Sequence, residues 1–242
     1  MQHSFFGIDA AYLLLVLGAL FVHACYQLSV SVLTYMSSHR LSKRASVRQL
    51  LSTGTGYAIG VIGTTSLLLV ALASMLSYLR TPSPGETPQL VGIIVSGVVP
   101  VVGLLTMTAY YRRGAGTQLW LPRQITAYLL GRAKKTESFV EASMLGAATV
   151  IGESPFLAGP LLIAGATLMQ GPPASWTWFA ILYSMFAALP LVIVTLYLTS
   201  GHSVARVQRW REDNKQFLQW TSSIALILLT IYFAVLQFGV NR

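Results

Sequence analysis

Residues 142–170 read ASMLGAATVIGESPFLAGPLLIAGATLMQ, and Glu153 is the one charged side chain among them. An α-helix needs about 20 apolar residues to cross a bilayer, so this stretch is long enough to span one. The same test selects six spans in all, at about residues 10–36, 54–79, 89–111, 142–170, 175–199 and 218–238. We therefore expect an all-α integral membrane protein with six transmembrane helices.

The composition of the whole chain points to the same class of protein. Of the 242 residues, 54% are hydrophobic and 10% are charged, whereas an ordinary soluble domain carries about a quarter charged residues. This excludes a soluble enzyme, a disordered chain and a secreted disulfide scaffold, and the single cysteine, Cys25, cannot form an internal disulfide. The net charge of +9 is explained by basic loops that orient the spans against anionic lipid, so we expect no nucleic-acid partner.

The basic residues predict the orientation of the spans. Fourteen of the 16 Lys and Arg residues fall in three loops, at 37–53, 112–141 and 200–217. Cytoplasmic loops carry an excess of basic residues. We therefore predict that these loops are cytoplasmic, that both termini lie outside, and that the protein is a multi-pass protein of the cell (plasma or inner) membrane. Within the third loop, we interpret the stretch Arg206–Lys215, with Trp210, as an interfacial anchor.

The middle loop divides the chain into two halves. It mixes apolar and basic residues over Leu119–Leu130 and is too short to span, so we interpret it as an amphipathic segment on the cytoplasmic interface. A gate that moves between the two halves is the alternative. Residues 1–111 and 142–242 then hold three spans each, within a single membrane domain. Because three is odd, the halves insert in opposite directions, as in inverted-repeat transporters.

Each half begins with a long span that carries a polar interruption, at Val22–Ser29 in span one and Gly152–Pro160 in span four. Proline removes a backbone donor and glycine weakens a helix. We therefore predict that span four contains helix breaks at Gly152, Pro155, Gly159 and Pro160. Matching breaks in the two halves of a transporter mark a binding site near the middle of the membrane. Prolines that only kink a span for packing are the alternative.

Two short motifs resemble a known group of membrane proteins. They are Ser154-Pro155 followed by Pro160 in span four, and Tyr183-Ser184 followed by Leu189-Pro190-Leu191 in span five. With the six-span, 3+3 order, they are similar to the cytochrome c biogenesis transmembrane proteins, which are grouped with lysine exporters and related cation exporters. In the thiol-electron carriers of that family, spans one and four each hold a cysteine after a proline. Here the matching pairs are Ala24-Cys25 and Pro155-Phe156, so one of the two cysteines is present.

Glu153 is the first candidate for a functional residue, since the other acidic residues lie at or beyond the ends of the spans. A carboxylate near the centre of a bilayer is costly unless it is protonated, paired or hydrated, and it marks a functional site by default. His23 lies deep in span one, which should face span four in a pseudo-symmetric fold. Four polar neighbours complete a candidate site for a substrate or ion: Gln27, Ser31, Thr149 and Ser154. Hydrogen bonding between helices is the alternative role of these neighbours.

The pair of Glu153 and His23 suggests the chemistry of ion-coupled transport. Either group could load and release a proton, or bind a cation, as the site faces the two sides of the membrane in turn. Histidine and carboxylate also suit a transition metal, although two ligands do not define one. We therefore predict a small secondary transporter or exporter that works by alternating access and needs no cofactor beyond a bound cation. The sequence lacks a Walker A loop, a Rossmann fingerprint, a nucleophile elbow and an HExxH helix, so we do not expect an enzyme.

Two other functions stay open at the level of sequence. A membrane thiol-redox protein related to the cytochrome c biogenesis carriers would use Cys25 with a thiol from another chain or from a thioredoxin-like protein. A non-catalytic membrane scaffold or accessory subunit is the third candidate. The partners that these functions imply are the lipid bilayer, a small solute or ion, a second copy of the chain, and a redox protein.

Overall fold

The computed structural model describes residues 10–26, 28–42, 46–79, 87–110 and 123–239. Over these ranges the chain is helical and contains no strand, so the all-α prediction is confirmed for them. The helices are α1 (Ala10–Cys25), α2 (Leu28–Ser42), α3 (Val47–Leu79), α4 (Thr87–Ala109), α5 (Arg123–Lys135), α6 (Phe139–Leu168), α7 (Pro173–Ala187), α8 (Leu189–Thr199) and α9 (Val204–Ala234), which continues as a π-helical turn (Val235–Gly239).

The described part of the chain contains five or six segments that are long and apolar enough to cross a membrane. The first is Ala11–His39, which joins α1 to most of α2, and the next four are α3, α4, α6 and α9, the last extended to Phe238. The helices α7 and α8 give a sixth when this pair, bent by 44°, is counted as one span. These helices confirm the prediction of a membrane-embedded, multi-pass protein.

Two helices extend into segments that the sequence analysis placed in loops. α3 begins at Val47 rather than near residue 54, and α9 begins at Val204 rather than near residue 218. Most of the predicted third loop is therefore the first half of a helix. Because a helix turns its side chains to all sides, this basic stretch has an inner face as well as an outer one.

Glycine allows the backbones of α3 and α6 to touch, and these two helices form the most extensive pair in the bundle. Ser143 Oγ donates a hydrogen bond to the carbonyl oxygen of Gly56 over 2.8 Å. A Cβ atom at Gly60 would overlap the carbonyl of Ser143, and one at Gly146 would overlap that of Tyr57. Because the lipid is as apolar as the side chains, no hydrophobic effect drives membrane helices together. Their association depends on close van der Waals packing, which small residues allow. The contacts hold α3 and α6 side by side and running in the same direction.

α3 also packs against α7 and α8, in the opposite direction. Ser66 Oγ donates to the carbonyl oxygen of Ala180 over 3.3 Å, while a Cβ atom at Gly54 would meet the side chain of Thr195. Rising residue numbers on α3 therefore match falling numbers on α7 and α8. This relation fixes which residues of the three helices lie at the same level of the bundle.

The predicted interruption in span one is present. α1 ends at Cys25, α2 begins at Leu28, and Tyr26 belongs to neither helix. The amide of Tyr26 donates to the carbonyl oxygen of His23 over 3.1 Å, which closes the last turn of α1. The chain therefore presents a new helix N-terminus, that of α2, within the first span.

Span four differs from the prediction, since α6 is one continuous helix that contains Pro155 and Pro160. Pro155 has no N–H to donate to the carbonyl oxygen of Ile151. Ser154 Oγ donates to that oxygen instead, over 2.8 Å. A neighbouring hydroxyl that satisfies the freed carbonyl is one reason why proline is tolerated within membrane helices.

The helix breaks predicted in span four are therefore wrong at all four positions: Gly152, Pro155, Gly159 and Pro160. The two glycines serve packing, because a Cβ atom at Gly152 would press on Ile125 and one at Gly159 on Leu226. The second half of the chain bends instead in span five, at Ala188 between α7 and α8.

The amphipathic segment predicted in the middle of the chain is helical over α5, while residues 111–122 lie outside the described part. α5 buries Leu129 and Ala133 and exposes Tyr128 and Arg132. It packs against α2 and α6. A location on the membrane interface stays a prediction, since it depends on where the bilayer lies.

Candidate functional site

Glu153 lies on α6 with 3% of its surface exposed, and its carboxyl group accepts hydrogen bonds from two other elements. The backbone N–H of Leu28 donates to Oε1 over 3.1 Å, and the hydroxyl of Tyr110 donates to the same oxygen over 2.6 Å. The hydroxyl of Ser29 lies 3.5 Å from Oε2. All of these groups are placed to donate to the carboxyl oxygens, so Glu153 acts as the acceptor in each contact.

The contact with Leu28 makes Glu153 a cap for α2. The first N–H groups of a helix have no partner within the helix, and the helix dipole favours negative charge at this end. Inside a membrane no bulk water can satisfy those groups. The carboxyl group on α6 therefore stabilises the break in span one. This capping role is one structural reason for the presence of Glu153 inside the bundle.

His23 lies in the last turn of α1 and is buried. Its Nδ1 atom is 3.3 Å from the hydroxyl of Tyr183 on α7, and the two rings meet edge to face at 5.7 Å between centroids. The same hydroxyl lies 3.4 Å from the carbonyl oxygen of Ala19, to which it can donate. His23 is thus held by α7, whereas Glu153 is held by α2 and the end of α4.

A cavity of about 20 Å³ joins the two candidates. It is large enough for a water molecule. His23 and Glu153 both line it, together with the break in span one (Ala24, Tyr26, Ser29, Val30), Val61 on α3, and the bend in span five (Ala187, Pro190, Leu191). The cavity therefore lies where the interrupted first span and the bent fifth span meet α6.

Of the other predicted site residues, Ser31, Thr149 and Ser154 do not line this cavity. Ser31 accepts a hydrogen bond from Arg211, and Thr149 donates to the carbonyl of Leu145 in its own helix. Ser154 likewise bonds its own helix, and Gln27 falls outside the residues that the structure describes. Cys25 is buried at the end of α1. Of the predicted set, the structure brings Glu153 and His23 together at one cavity.

Arg211 was not predicted as a site residue, yet it is buried, with 2% of its surface exposed. From the first half of α9, its guanidinium donates to the hydroxyl of Ser31 on α2. The basic stretch is therefore more than an interfacial anchor, because one of its cations lies inside the bundle. The helical periodicity of α9 could have identified Arg211 as an inward-facing residue. Val207, Arg211 and Ser222 fall on one face of the helix, and all three are buried.

Tyr110 was also missed, and Tyr183 was noted as part of the span-five motif but not as a site residue. Tyr110 follows the last residue of α4, at a predicted span boundary, and its partner Glu153 is 43 residues away. Its ring packs edge to face against Phe156 at 4.8 Å and lies 5.2 Å from that of Tyr26. These contacts aim the hydroxyl at the carboxylate, and only the assembled bundle reveals them.

Metal ligands do not gather at this site beyond the pair. In the described ranges, no group of three His, Cys, Asp or Glu side chains is placed to hold a metal ion. A comparison of the chain with known protein families, with curated proteins and with solved structures found no match. The function of the protein must therefore be inferred from the geometry of the cavity and the chemistry of its lining.

Proposed function

We propose that the protein is a small secondary transporter, of the exporter type, that moves a cation in exchange for protons by alternating access. The observation that carries this proposal is the cavity lined by both Glu153 and His23. It lies beside a helix N-terminus inside span one and a bend in span five. Discontinuous helices around a midplane site are the usual construction of secondary transporters.

The packing of the helices supports two inverted three-helix repeats. Exchange of the two halves of such a fold maps span one onto four, two onto five and three onto six. The contact of α1 with α9 then corresponds to that of α6 with α4, and the contact of α3 with α6 corresponds to that of α7 with α1. All four contacts are present. The basic loops support the orientation with both termini outside and the plasma or inner membrane as the location.

Glu153 has two competing roles in this mechanism. As a carboxylate it accepts the N–H of Leu28 and the hydroxyl of Tyr110, which fixes the first turn of α2. A proton or a cation that binds the carboxyl oxygens competes with these donors. Occupation of the site therefore loosens the start of α2. The bend between α7 and α8, on the other wall of the cavity, provides a second point at which a span can change direction.

His23 offers a second polar group to the same cavity, and Tyr183 sets the orientation of its ring. A neutral imidazole can accept a proton or coordinate a cation with its free nitrogen. The resemblance of the motifs in spans four and five to lysine exporters and cytochrome c biogenesis proteins stays a prediction, and an exporter is the function that it implies. The buried position of Cys25 gives no support to the thiol-redox alternative, because thiol exchange requires access to the sulfur.

Reconstitution into liposomes tests the proposal. Vesicles that contain the protein and a trapped pH-sensitive dye receive inward gradients of Na⁺, K⁺, Mg²⁺, Ca²⁺ or Mn²⁺, and the internal pH is followed. We expect at least one cation to drive a proton flux that Glu153→Gln abolishes.

The matched control is Glu141→Gln, which changes an exposed carboxylate at the start of the same helix. Glutamine also functions at this position of a capping box, so α6 keeps its N-terminus. Glu141→Gln should transport as the wild type does. Equal transport by Glu153→Gln would show that the site is wrongly assigned, and the absence of flux from the wild-type protein with every cation would contradict the proposed function.

A further inference from the structure

Two buried hydroxyl groups next to the cavity differ from the other buried hydroxyls of the bundle. Thr65 on α3 and Ser184 on α7 are each 1% exposed, and neither hydroxyl has a hydrogen-bond partner within the described ranges. Most buried Ser and Thr residues here donate to a carbonyl one turn earlier in their own helix, as Thr53, Thr106 and Thr195 do. This is the normal way for a membrane helix to satisfy a hydroxyl.

Both hydroxyls lie on the same side of the cavity. Val61 on α3 and Ala187 on α7 line it. Thr65 follows Val61 by one helical turn, and Ser184 precedes Ala187 by three residues. Because α3 and α7 are antiparallel, these two steps lead toward the same end of the bundle, away from the basic loops. Thr65 and Ser184 therefore lie about one helical turn, or about 5 Å along each helix, beyond residues that line the cavity.

The chemistry of these two hydroxyls differs from that of the cavity. Glu153 and His23 provide a carboxylate and an imidazole, whereas Thr65 and Ser184 provide neutral oxygen atoms. A buried hydroxyl without a partner costs free energy, and a ligand that bonds to its oxygen recovers that cost. Hard cations such as Na⁺ and K⁺ take oxygen ligands of this kind.

Two more buried hydroxyls lack a partner in the described part of the chain, those of Ser96 and Thr167. Ser96 is on α4, which contributes no residue to the lining of the cavity, and Thr167 lies near the end of α6, 14 residues beyond Glu153. Neither lies within one helical turn of a residue that lines the cavity, whereas Thr65 and Ser184 both do.

We propose that Thr65 and Ser184 form a second, hydroxyl-lined subsite that binds the transported cation on its way between the cavity and the outer surface. This inference rests on the proposed transport function. If this subsite exists, removal of either hydroxyl should lower transport and also stabilise the ligand-free protein. The second effect is expected because a buried hydroxyl without a partner destabilises the fold when no ligand is bound.

Isosteric substitutions test the subsite. Thr65→Val and Ser184→Ala should each lower the initial rate of cation-driven proton flux in liposomes by about tenfold, with the cation that gives the wild type its largest signal. Each should also raise the Tm of the ligand-free protein in detergent by about 2–4 °C, because an unsatisfied buried hydroxyl has been removed. Thr53→Val, in which a hydroxyl bonded to its own helix is lost, is the control and should not lower the flux.

Thr65→Ser distinguishes loss of a ligand-binding hydroxyl from damage to the fold. It keeps the hydroxyl that Thr65→Val removes, so it should transport better than Thr65→Val. Wild-type flux in both Thr65→Val and Ser184→Ala would overturn the subsite while leaving the role of Glu153 intact. So would a Thr65→Ser variant as inactive as Thr65→Val. Absence of flux from the wild-type protein would instead overturn the proposed function, and the subsite with it.

Discussion

The substitution Tyr110→Phe removes a single hydroxyl from the site. Phenylalanine keeps the ring that packs edge to face on Phe156 at 4.8 Å, so the hydrogen bond of 2.6 Å to Glu153 is the main interaction lost. A hydrogen bond to a charged group contributes about 1.5–3 kcal/mol. For a chain of this length, we therefore expect Tm to fall by about 3–12 °C. Thermal unfolding of the purified protein in detergent measures the change.

The control for this prediction is Tyr26→Phe, which removes another buried hydroxyl. The hydroxyl of Tyr26 lies 3.3 Å from Thr106 Oγ1, and both groups are neutral. Hydrogen bonds between neutral groups in membrane proteins average about 0.6 kcal/mol, so Tm should change much less. In the background of Glu153→Gln, the cost of Tyr110→Phe should fall to about half, because the acceptor has lost its charge. Equal losses for Tyr110→Phe and Tyr26→Phe would contradict the prediction that the hydroxyl of Tyr110 bonds a charged acceptor.

Three further predictions test other parts of the structure. Gly60→Ala should prevent the close packing of α3 and α6 and reduce the yield of monodisperse protein in size-exclusion chromatography, whereas Gly63→Ala, where space is open, should leave the yield unchanged. Arg211→Gln should destabilise the protein by about 1.5–3 kcal/mol because it breaks a buried charged hydrogen bond, while a change of the exposed Arg209 to Gln should stay within about 0.5 kcal/mol; similar values for the two would contradict a structural role for the buried cation. The single cysteine is buried at the end of α1, so it should react slowly with a water-soluble thiol reagent in vesicles. Glu153→Gln should accelerate that reaction by loosening α2, and an unchanged rate would argue against the cap.

Much of the fold could be predicted because the membrane imposes simple requirements on the sequence. Apolar length marks the spans, and the polar stretch around Tyr26 marks the interruption of the first one. The boundaries of α3 and α9 could not be predicted in the same way, because both helices continue beyond their apolar stretches. α9 thus includes the basic residues before Phe217, and hydropathy alone does not distinguish such a helix from a loop.

The candidate site was predictable where a residue type is rare inside a membrane. Glu153 and His23 were identified by this rule, and both line the cavity. The rule failed for Arg211, since its distance from the apolar part of the last span concealed its inward position. It also failed for Tyr110, because a tyrosine at a span end is common at membrane interfaces.

The prolines of span four show why a local motif does not determine local structure. Pro155 and Pro160 suggested a broken helix, but the missing hydrogen bond at Pro155 is compensated by the hydroxyl of Ser154 and α6 remains continuous. The predicted break in span one is present, and Glu153 of α6 caps the helix that begins there, α2. Glu153 in span four and the interruption in span one therefore belong to a single structural feature. The sequence alone does not show that they are in contact.

The proton flux driven by a cation gradient in liposomes measures directly whether Glu153 couples ions. Wild-type protein and Glu141→Gln should carry this flux at the same rate. Glu153→Gln should reduce it to the level of protein-free vesicles while keeping its elution profile in size-exclusion chromatography. A folded Glu153→Gln protein that transports at the wild-type rate would contradict the claim that this carboxylate is the site of ion coupling.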